Sequence, residues 1–229
     1  MISIIIPTLN EESNIQLLLP YLIENATKEV VEIIVVDAGS IDNTLSIAQN
    51  YQVTSFVAKK KGRAAQMNEA AQKAIGEILY FIHADTLPPV TYTHDVLNAL
   101  GDGFPMGCFR SAYDSKHPML QFNAWMTRFN FNFSRGGDQS FFIKKELFFE
   151  LNGYKEDHIL MEDFEFIIRA KKTHPFKVIP KSVLISTRKY DGPGYFKVNI
   201  ANVIVYNMYF LGFSQDKMIK FYRKMLSNG

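Results

Sequence analysis

The chain contains one cysteine and one tryptophan in 229 residues. A single thiol, Cys108, excludes an internal disulfide framework and fits a reducing compartment. Flanked by Gly107 and Phe109, it reads as a small buried hydrophobe rather than a nucleophile. Histidine is also scarce. The five His residues show no ligand spacing, which argues against zinc. No apolar run approaches the ~20 residues of a membrane span. The longest candidate, 200–213, is interrupted by Asn202 and Asn207. The first apolar run is too short for a signal peptide and lacks a basic leader. Repeats, low-complexity stretches and Pro/Gly/Ser linkers are missing, so one domain with two functional halves is expected.

Charge of one sign is missing overall but not locally. The formal net charge is +2. Residues 170–229 carry 11 Lys/Arg against 2 Asp/Glu, a net +9, which leaves −7 on residues 1–169. The acidic part favours cations and the basic tail favours anions.

What is present is a strand–helix alternation. Ile2–Ile6, Ile33–Val36, Val53–Val57 and Ile78–Ile82 are short, β-branched, apolar runs. Between them, Ile15, Leu18, Leu19, Leu22 and Ile23 follow helical spacing, as do segments 42–51 and 64–75. This pitch predicts an α/β fold, a mostly parallel Rossmann-like sheet flanked by helices. The spacing predicts a further helix over 90–100, strands at 107–112, 139–143 and 178–185, and helices over 119–132 and 164–172. A helical C-terminal segment over 194–226 breaks at Gly212. Asn10 is placed as the N-cap of the first helix.

Ligands in open α/β sheets bind beyond the carboxyl ends of the strands. Two strands end there in an acid: Val36-Asp37 and, after Ile82-His83-Ala84, Asp85. Asp37 suits a ring N–H or a ribose hydroxyl, and a buried acid must be satisfied by something. Asp42 reads as a helix cap. Asp85 suits a hard divalent ion, Mn²⁺ or Mg²⁺. Pro7-Thr8-Leu9-Asn10-Glu11 leads from the first strand into a helix whose N-terminus can face an anion. Arg63 stands in the first turn of a helix, against the dipole, which points to a ligand such as a phosphate or base. The preceding Lys59-Lys60-Lys61 reads as a solvated run. Glu162-Asp163 opens another helix. Spacing alone leaves dipole pairing and a general base equally open.

These segments in this order resemble the family 2 glycosyltransferases of GT-A fold. The resemblance rests on 3–12 (Ser-Ile-Ile-Ile-Pro-Thr-Leu-Asn-Glu-Glu), 36–44 (Val-Asp-Ala-Gly-Ser-Ile-Asp-Asn-Thr), His83-Ala84-Asp85 and Glu162-Asp163. Gly62-Arg63-Ala64-Ala65-Gln66-Met67-Asn68 and Gly136-Gly137-Asp138-Gln139 look like a short bacterial branch. The resemblance covers about residues 1–190. It implies a nucleotide-binding half over 1–100, an acceptor-binding half over 101–190 and a helical extension over 191–229 packed on the domain.

The resemblance further implies an inverting, metal-assisted transferase that takes a UDP- or GDP-linked sugar to an acceptor hydroxyl. Asp163 would be the catalytic base and Glu162 its neighbour near the acceptor. Asp85 would hold the metal. Pro7, Thr8, Asn10, Glu11, Asp37, Arg63 and His83 would surround the nucleotide. Arg188 and Lys189 would hold the diphosphate, since Arg suits bidentate phosphate contact. Gly137, Asp138 and Gln139 would line the acceptor pocket. His83 departs from the family pattern, standing where an acid usually approaches the ribose, and it brings no charge.

Two rivals compete with this reading. A sugar-phosphate nucleotidyltransferase needs a basic, Gly-rich loop after the first strand, where this chain has Asn10-Glu11-Glu12. A non-catalytic sugar-nucleotide or lipid-binding protein on a degenerate scaffold is disfavoured by the presence of both Asp85 and Asp163. Nucleic acid is not an expected partner, because no recognised binding module is present. The expected location is the cytoplasm. The tail (Tyr195, Phe196, Tyr206, Tyr209, Phe210, Phe213, then Lys217, Lys220, Arg223 and Lys224) has two readings. It packs on the domain, or it lies on an anionic membrane at the inner face, where a lipid-linked acceptor would be found.

Overall fold

A computed structural model describes residues 1–190 and 194–227, without the side chains of Val31 and Lys189. The C-terminal boundary drawn from the sequence, at 191, falls outside the described residues.

The strands are β1 (Ile2–Thr8), β2 (Val30–Asp37), β3 (Thr54–Val57), β4 (Ile78–Phe81), β5 (Thr86–Leu87), β6 (Met106–Tyr113), β7 (Phe141–Lys144) and β8 (Phe176–Ile185). They form one sheet in the order β3-β2-β1-β4-β7-β6-β8-β5. The β3-β2-β1-β4 half is parallel throughout. Beyond it β7 runs antiparallel to both β4 and β6, and β8 returns parallel to β6. The sheet is therefore mixed. The expected GT-A type α/β architecture is present.

The two-residue period of a strand divides the core. Ile4, Ile6, Ile33 and Val35 point to one face, against α1 (Glu12–Glu24) and α4 (Tyr92–Gly101). Ile5, Ile34 and Val36 point to the other, against α3 (Arg63–Lys73), α6 (Lys145–Glu150) and α7 (Glu162–Lys171). A strand buried on both faces has no polar side to show, which is why the first two strands read as unbroken apolar runs. The short α2 (Thr44–Gln49) follows β2.

Two sequence expectations shift. Asn10 is not the N-cap. Glu11 occupies that position without a side-chain cap bond, while Asn10 adopts a left-handed φ of 55°. The Asn10 side-chain Oδ1 accepts the Ile41 N–H at 3.0 Å instead, tying the first turn to the second. The helix expected over 119–132 ends early: α5 spans Pro118–Met126 and is followed by a separate 3-10 turn at Asn132–Ser134. The cause is Arg135, whose guanidinium donates to the Phe129 carbonyl at 2.9 Å and also to that of Thr127. Those carbonyls are thereby drawn out of a continuing helix.

The tail forms α8 (Tyr195–Phe210) and α9 (Gln215–Ser227), with the break at Gly212, φ 74°. Val198 of α8 packs on Leu120 and Tyr190. Among the described residues no helix is long and apolar enough to cross a membrane.

Candidate active site

Four elements deliver acids or their partners to one edge of the sheet. β4 ends at Phe81 and leads through His83 to Asp85. β5 pairs with the end of β8, and the Ser186 N–H donates to the Asp85 carbonyl at 3.0 Å, which fixes the turn that carries Asp85. α7 supplies Glu162 and Asp163 in its first turn. Its N-cap, Met161, has a left-handed φ of 67°. A non-glycine residue held there signals backbone strain, and such strain gathers at functional sites. α3 supplies Arg63.

These groups meet. The Arg63 Nη1 donates to Glu162 Oε1 at 3.1 Å. His83 Nε2 lies 3.8 Å from Asp163 Oδ2. Gly137 closes the other side. A Cβ there would fall 2.0 Å from Asp163 Oδ2 and 2.7 Å from His83 Nε2, so only glycine lets this backbone reach the acid.

Asp163 is 8% exposed. Burial pushes its carboxyl up to about 8, with the Glu162 and Asp138 charges adding to the rise and Arg63 opposing it. The ordinary value is 3.8. Such a group can bind and release a proton near neutrality. Arg63 is held more firmly protonated: desolvation works against its charge, but Glu162, Asp163 and Asp85 outweigh it. Asp85 thus acts on the same cation as the two α7 acids.

A second cluster, at the ends of β1 and β2, is built differently. Asp37 is 1% exposed. Its Oδ1 accepts the N–H groups of Gly39 (2.8 Å) and Ser40 (2.7 Å), and its Oδ2 accepts the hydroxyls of Thr8 (3.0 Å) and Ser40 (2.5 Å). Every acceptor position of the carboxylate is used within the protein. Asp42 accepts the Thr44 N–H at 3.0 Å and the Glu12 N–H at 3.2 Å, but it is not the N-cap of α2: Asn43 occupies that position, without a side-chain cap bond. Gln66, buried on α3, donates to the Thr8 and Val36 carbonyls at 2.9 and 2.7 Å and clamps the two strand ends together. Pro7 and Thr8 are buried inside β1.

The remaining candidates divide. Arg188 reaches across from the turn after β8, and its Nη2 donates to Glu11 Oε2 at 2.9 Å. That contact joins the expected diphosphate and nucleotide sides. The Lys189 side chain lies outside the described part of the structure. Asp138 is half-buried and bears on Asp163 electrostatically. Gln139 turns inward instead of lining an acceptor pocket. Its amide nitrogen donates to the Ser134 carbonyl at 2.5 Å and its oxygen accepts from Cys108 Sγ at 3.3 Å. It fixes the loop that carries Gly137. Lys60 pairs with Glu156 at 2.8 Å.

Three structural residues escaped the reading of roles. Gln66 and Asn68 lay within a quoted motif without one. The Asn68 side chain exchanges hydrogen bonds with the Tyr154 backbone, donating to its carbonyl at 2.8 Å and accepting its N–H at 2.9 Å. Arg135, buried, was passed over. Its available signal was a cation closing an aromatic stretch, 115–135, that contains no acid.

The model described as glycosyl transferase family 2 matches residues 3–157. The chain belongs to that family. An uncharacterised glycosyltransferase of Bacillus subtilis, YfnE, is 33% identical over 90 residues, which are 37% of this chain and 23% of that protein. The chain thus aligns with about a quarter of that relative's length. Among solved structures, residues 1–349 of TarS from S. aureus, in complex with UDP-GlcNAc, superpose with a TM-score of 0.68 at 17% identity. The match covers 98% of this chain and 71% of that one. A mannosyltransferase from Pyrobaculum calidifontis, in complex with GDP-Man and Mn²⁺, gives a TM-score of 0.70 at 20% identity, covering 89% of this chain and 61% of that one. These structural likenesses establish the shared fold.

Proposed function

We propose that this family 2 member transfers a sugar from a nucleotide diphosphate sugar to an acceptor hydroxyl by a single displacement that inverts the anomeric centre. The observation that carries the reading is the convergence of Asp163, Glu162, Arg63, His83 and Asp85 at one sheet edge, with Asp163 held near neutrality. Asp163 takes the proton of the acceptor hydroxyl as that oxygen attacks. Glu162 and Arg63 form an ion pair beside it, so the base acts next to a balanced charge rather than a second free carboxylate. Arg188, paired with a carboxylate in this structure, exchanges Glu11 for the donor's diphosphate. The nucleotide complexes of the TarS and mannosyltransferase structures support a UDP- or GDP-linked donor.

A divalent ion fits this reading, and the donor set says how. No group of three or more His, Cys, Asp or Glu among the described residues could hold a metal. Mg²⁺ and Mn²⁺ are commonly held by one or two carboxylates, with substrate phosphates and water completing the shell. Asp85, half-buried at the turn after β4, supplies that carboxylate. When bound, the ion would offset charge on the departing diphosphate.

Calorimetric titration of UDP, GDP and their sugar conjugates, with and without Mn²⁺, tests the donor site on the wild-type chain and on Asp85→Ala. Metal-dependent binding of one nucleotide class, lost in Asp85→Ala, is the expected result. A folded wild-type chain that binds none of them overturns the reading.

A further inference from the structure

Away from the candidate site, the surface carries a ladder of aromatic rings. It starts on α5, where Phe122 stacks on Trp125 with centroids 6.0 Å apart. Trp125 meets Phe129 edge-on at 4.9 Å, Phe129 stacks on Phe131 at 5.6 Å, and Phe131 on Phe133 at 5.4 Å. Phe122, Trp125, Phe131 and Phe133 are 60%, 44%, 49% and 56% exposed. α8 continues the surface. A cleft of about 260 Å³ between α5 and α8 is lined by Met119, Phe196, Ile200 and Val203, of which Phe196 and Val203 are exposed. Contiguous apolar surface of this kind is uncommon on a monomer and marks an interaction site.

The ladder is held out by design of the loop beneath it. Arg135 is buried, donates to the Thr127 and Phe129 carbonyls and to Cys108 Sγ, and leaves its Nε without a hydrogen-bond partner among the described residues. Among those residues no carboxylate pairs with it. Burying a guanidinium in this way is costly. The result is a set of stacked rings exposed to water.

Charge identifies what covers it. Residues 115–135 present the exposed Lys116 and Arg128, and contain no Asp or Glu. The Arg128 guanidinium lies over the Trp125 ring at 5.4 Å. Residues 194–227 add Lys197, Lys217, Lys220, Arg223 and Lys224 against Asp216 alone. Exposed Trp and Phe rings beside cations match an anionic bilayer interface, where rings sit at the headgroup level and cations meet phosphates. A second copy across a two-fold axis would set these same cations against one another. We infer that the Phe122–Phe133 ladder, with the adjoining face of α8, docks this protein on an anionic lipid bilayer. The ladder runs directly into Gly136-Gly137, and Gly137 abuts Asp163.

This inference does not depend on the transferase reading, since donor binding and vesicle binding are measured separately. Trp125 is the chain's sole tryptophan, so its emission reports the ladder alone. The full chain is mixed with vesicles of phosphatidylcholine, or of phosphatidylcholine with phosphatidylglycerol, and sedimented. Emission should shift to the blue, and be quenched by bromine-labelled lipid, with the anionic vesicles and not with the neutral ones. Arg128→Glu should weaken partitioning at least ~10-fold, given the contribution of each basic residue at such a surface. Phe131→Ser with Phe133→Ser should abolish it. Because that double variant removes large side chains, its fold is checked by circular dichroism, and Arg128→Glu keeps the test decisive if it fails. No sedimentation of the folded wild-type chain with anionic vesicles overturns the inference. So does a blue shift that appears without lipid as protein concentration rises, accompanied by a dimer mass in sedimentation velocity.

Discussion

The β1–β2 edge and the β4–α7 edge both gather carboxylates beyond strand ends, but they treat them in opposite ways. At the first edge Asp37 has all four acceptor positions filled, and Asp42 accepts three bonds, from backbone and hydroxyl donors. At the second, Glu162 pairs with Arg63, while Asp163 faces a glycine backbone and a histidine at 3.8 Å and is pushed up toward neutrality. A carboxylate with all its lone pairs filled acts as a staple. A buried carboxylate crowded by other acids is left able to take a proton. An acid at a strand end is therefore not by itself a reactive group. Its neighbours decide whether it holds a loop or does chemistry.

Replacing Asp163 breaks this contrast most severely. Asp163→Asn should keep donor binding and lose transfer by a factor on the order of 10²–10⁴, the range for a positioned base. The acceptor kcat/KM of the wild type should rise with pH toward a plateau above about 8, because the base works only when ionised. Stability should move the other way. The folded value lies above the ordinary 3.8, so the fold favours the neutral carboxyl. That contribution is complete below the ordinary value and is lost as pH rises through about 8. Denaturant melts at about pH 5 and about pH 9 should show wild type losing stability relative to Asp163→Asn, on the order of a few kcal/mol. Full transfer activity in folded Asp163→Asn would remove it as the base.

How much of this was legible depended on whether a feature was local. β1, β2 and β4 announced themselves because strands buried on both faces carry unbroken apolar runs. The family motifs named Asp85, Glu162 and Asp163, and these acids share one edge. The turn chemistry of Asn10 misled, because a bond from Ile41, distant in sequence, competes with the local cap and wins. α5 ended before its aromatic pattern did: past its last turn, the carbonyls of Thr127 and Phe129 are held by Arg135. β5, two residues long, and α6, six residues long, were not foreseen: neither spans two full periods of its pattern. The role of Gly137 rests on an approach to Asp163 across 26 residues of sequence, which no window could show.

Asp37→Asn sharpens the comparison from the stapled side. It removes charge but keeps shape, and turns one acceptor oxygen into an NH₂ that faces donors. The expected loss is ~1–3 kcal/mol of stability, the cost of leaving buried polar groups badly paired. A denaturant melt measures it. A fall in transfer with unchanged stability would instead make Asp37 a direct nucleotide contact, the role the family resemblance gives it.

The smallest stability effect belongs to the contact that joins the turn after β8 to the start of α1. Arg188 and Glu11 meet at 2.9 Å with the Arg side chain half-exposed. Exposed pairs are worth about 0–1 kcal/mol, because water and salt screen them and two long side chains must be held in place. Arg188→Ala should therefore scarcely change the melting midpoint. Donor affinity should behave differently. If the diphosphate replaces Glu11 as the partner of Arg188, the substitution removes a charge-assisted contact worth about 1.5–3 kcal/mol, or roughly 10- to 100-fold in Kd. Glu11→Gln should then strengthen donor binding, since it frees Arg188 from its resident acid. Equal, small changes in stability and donor affinity for Arg188→Ala would mean that the pair is a surface contact and that the diphosphate is held elsewhere.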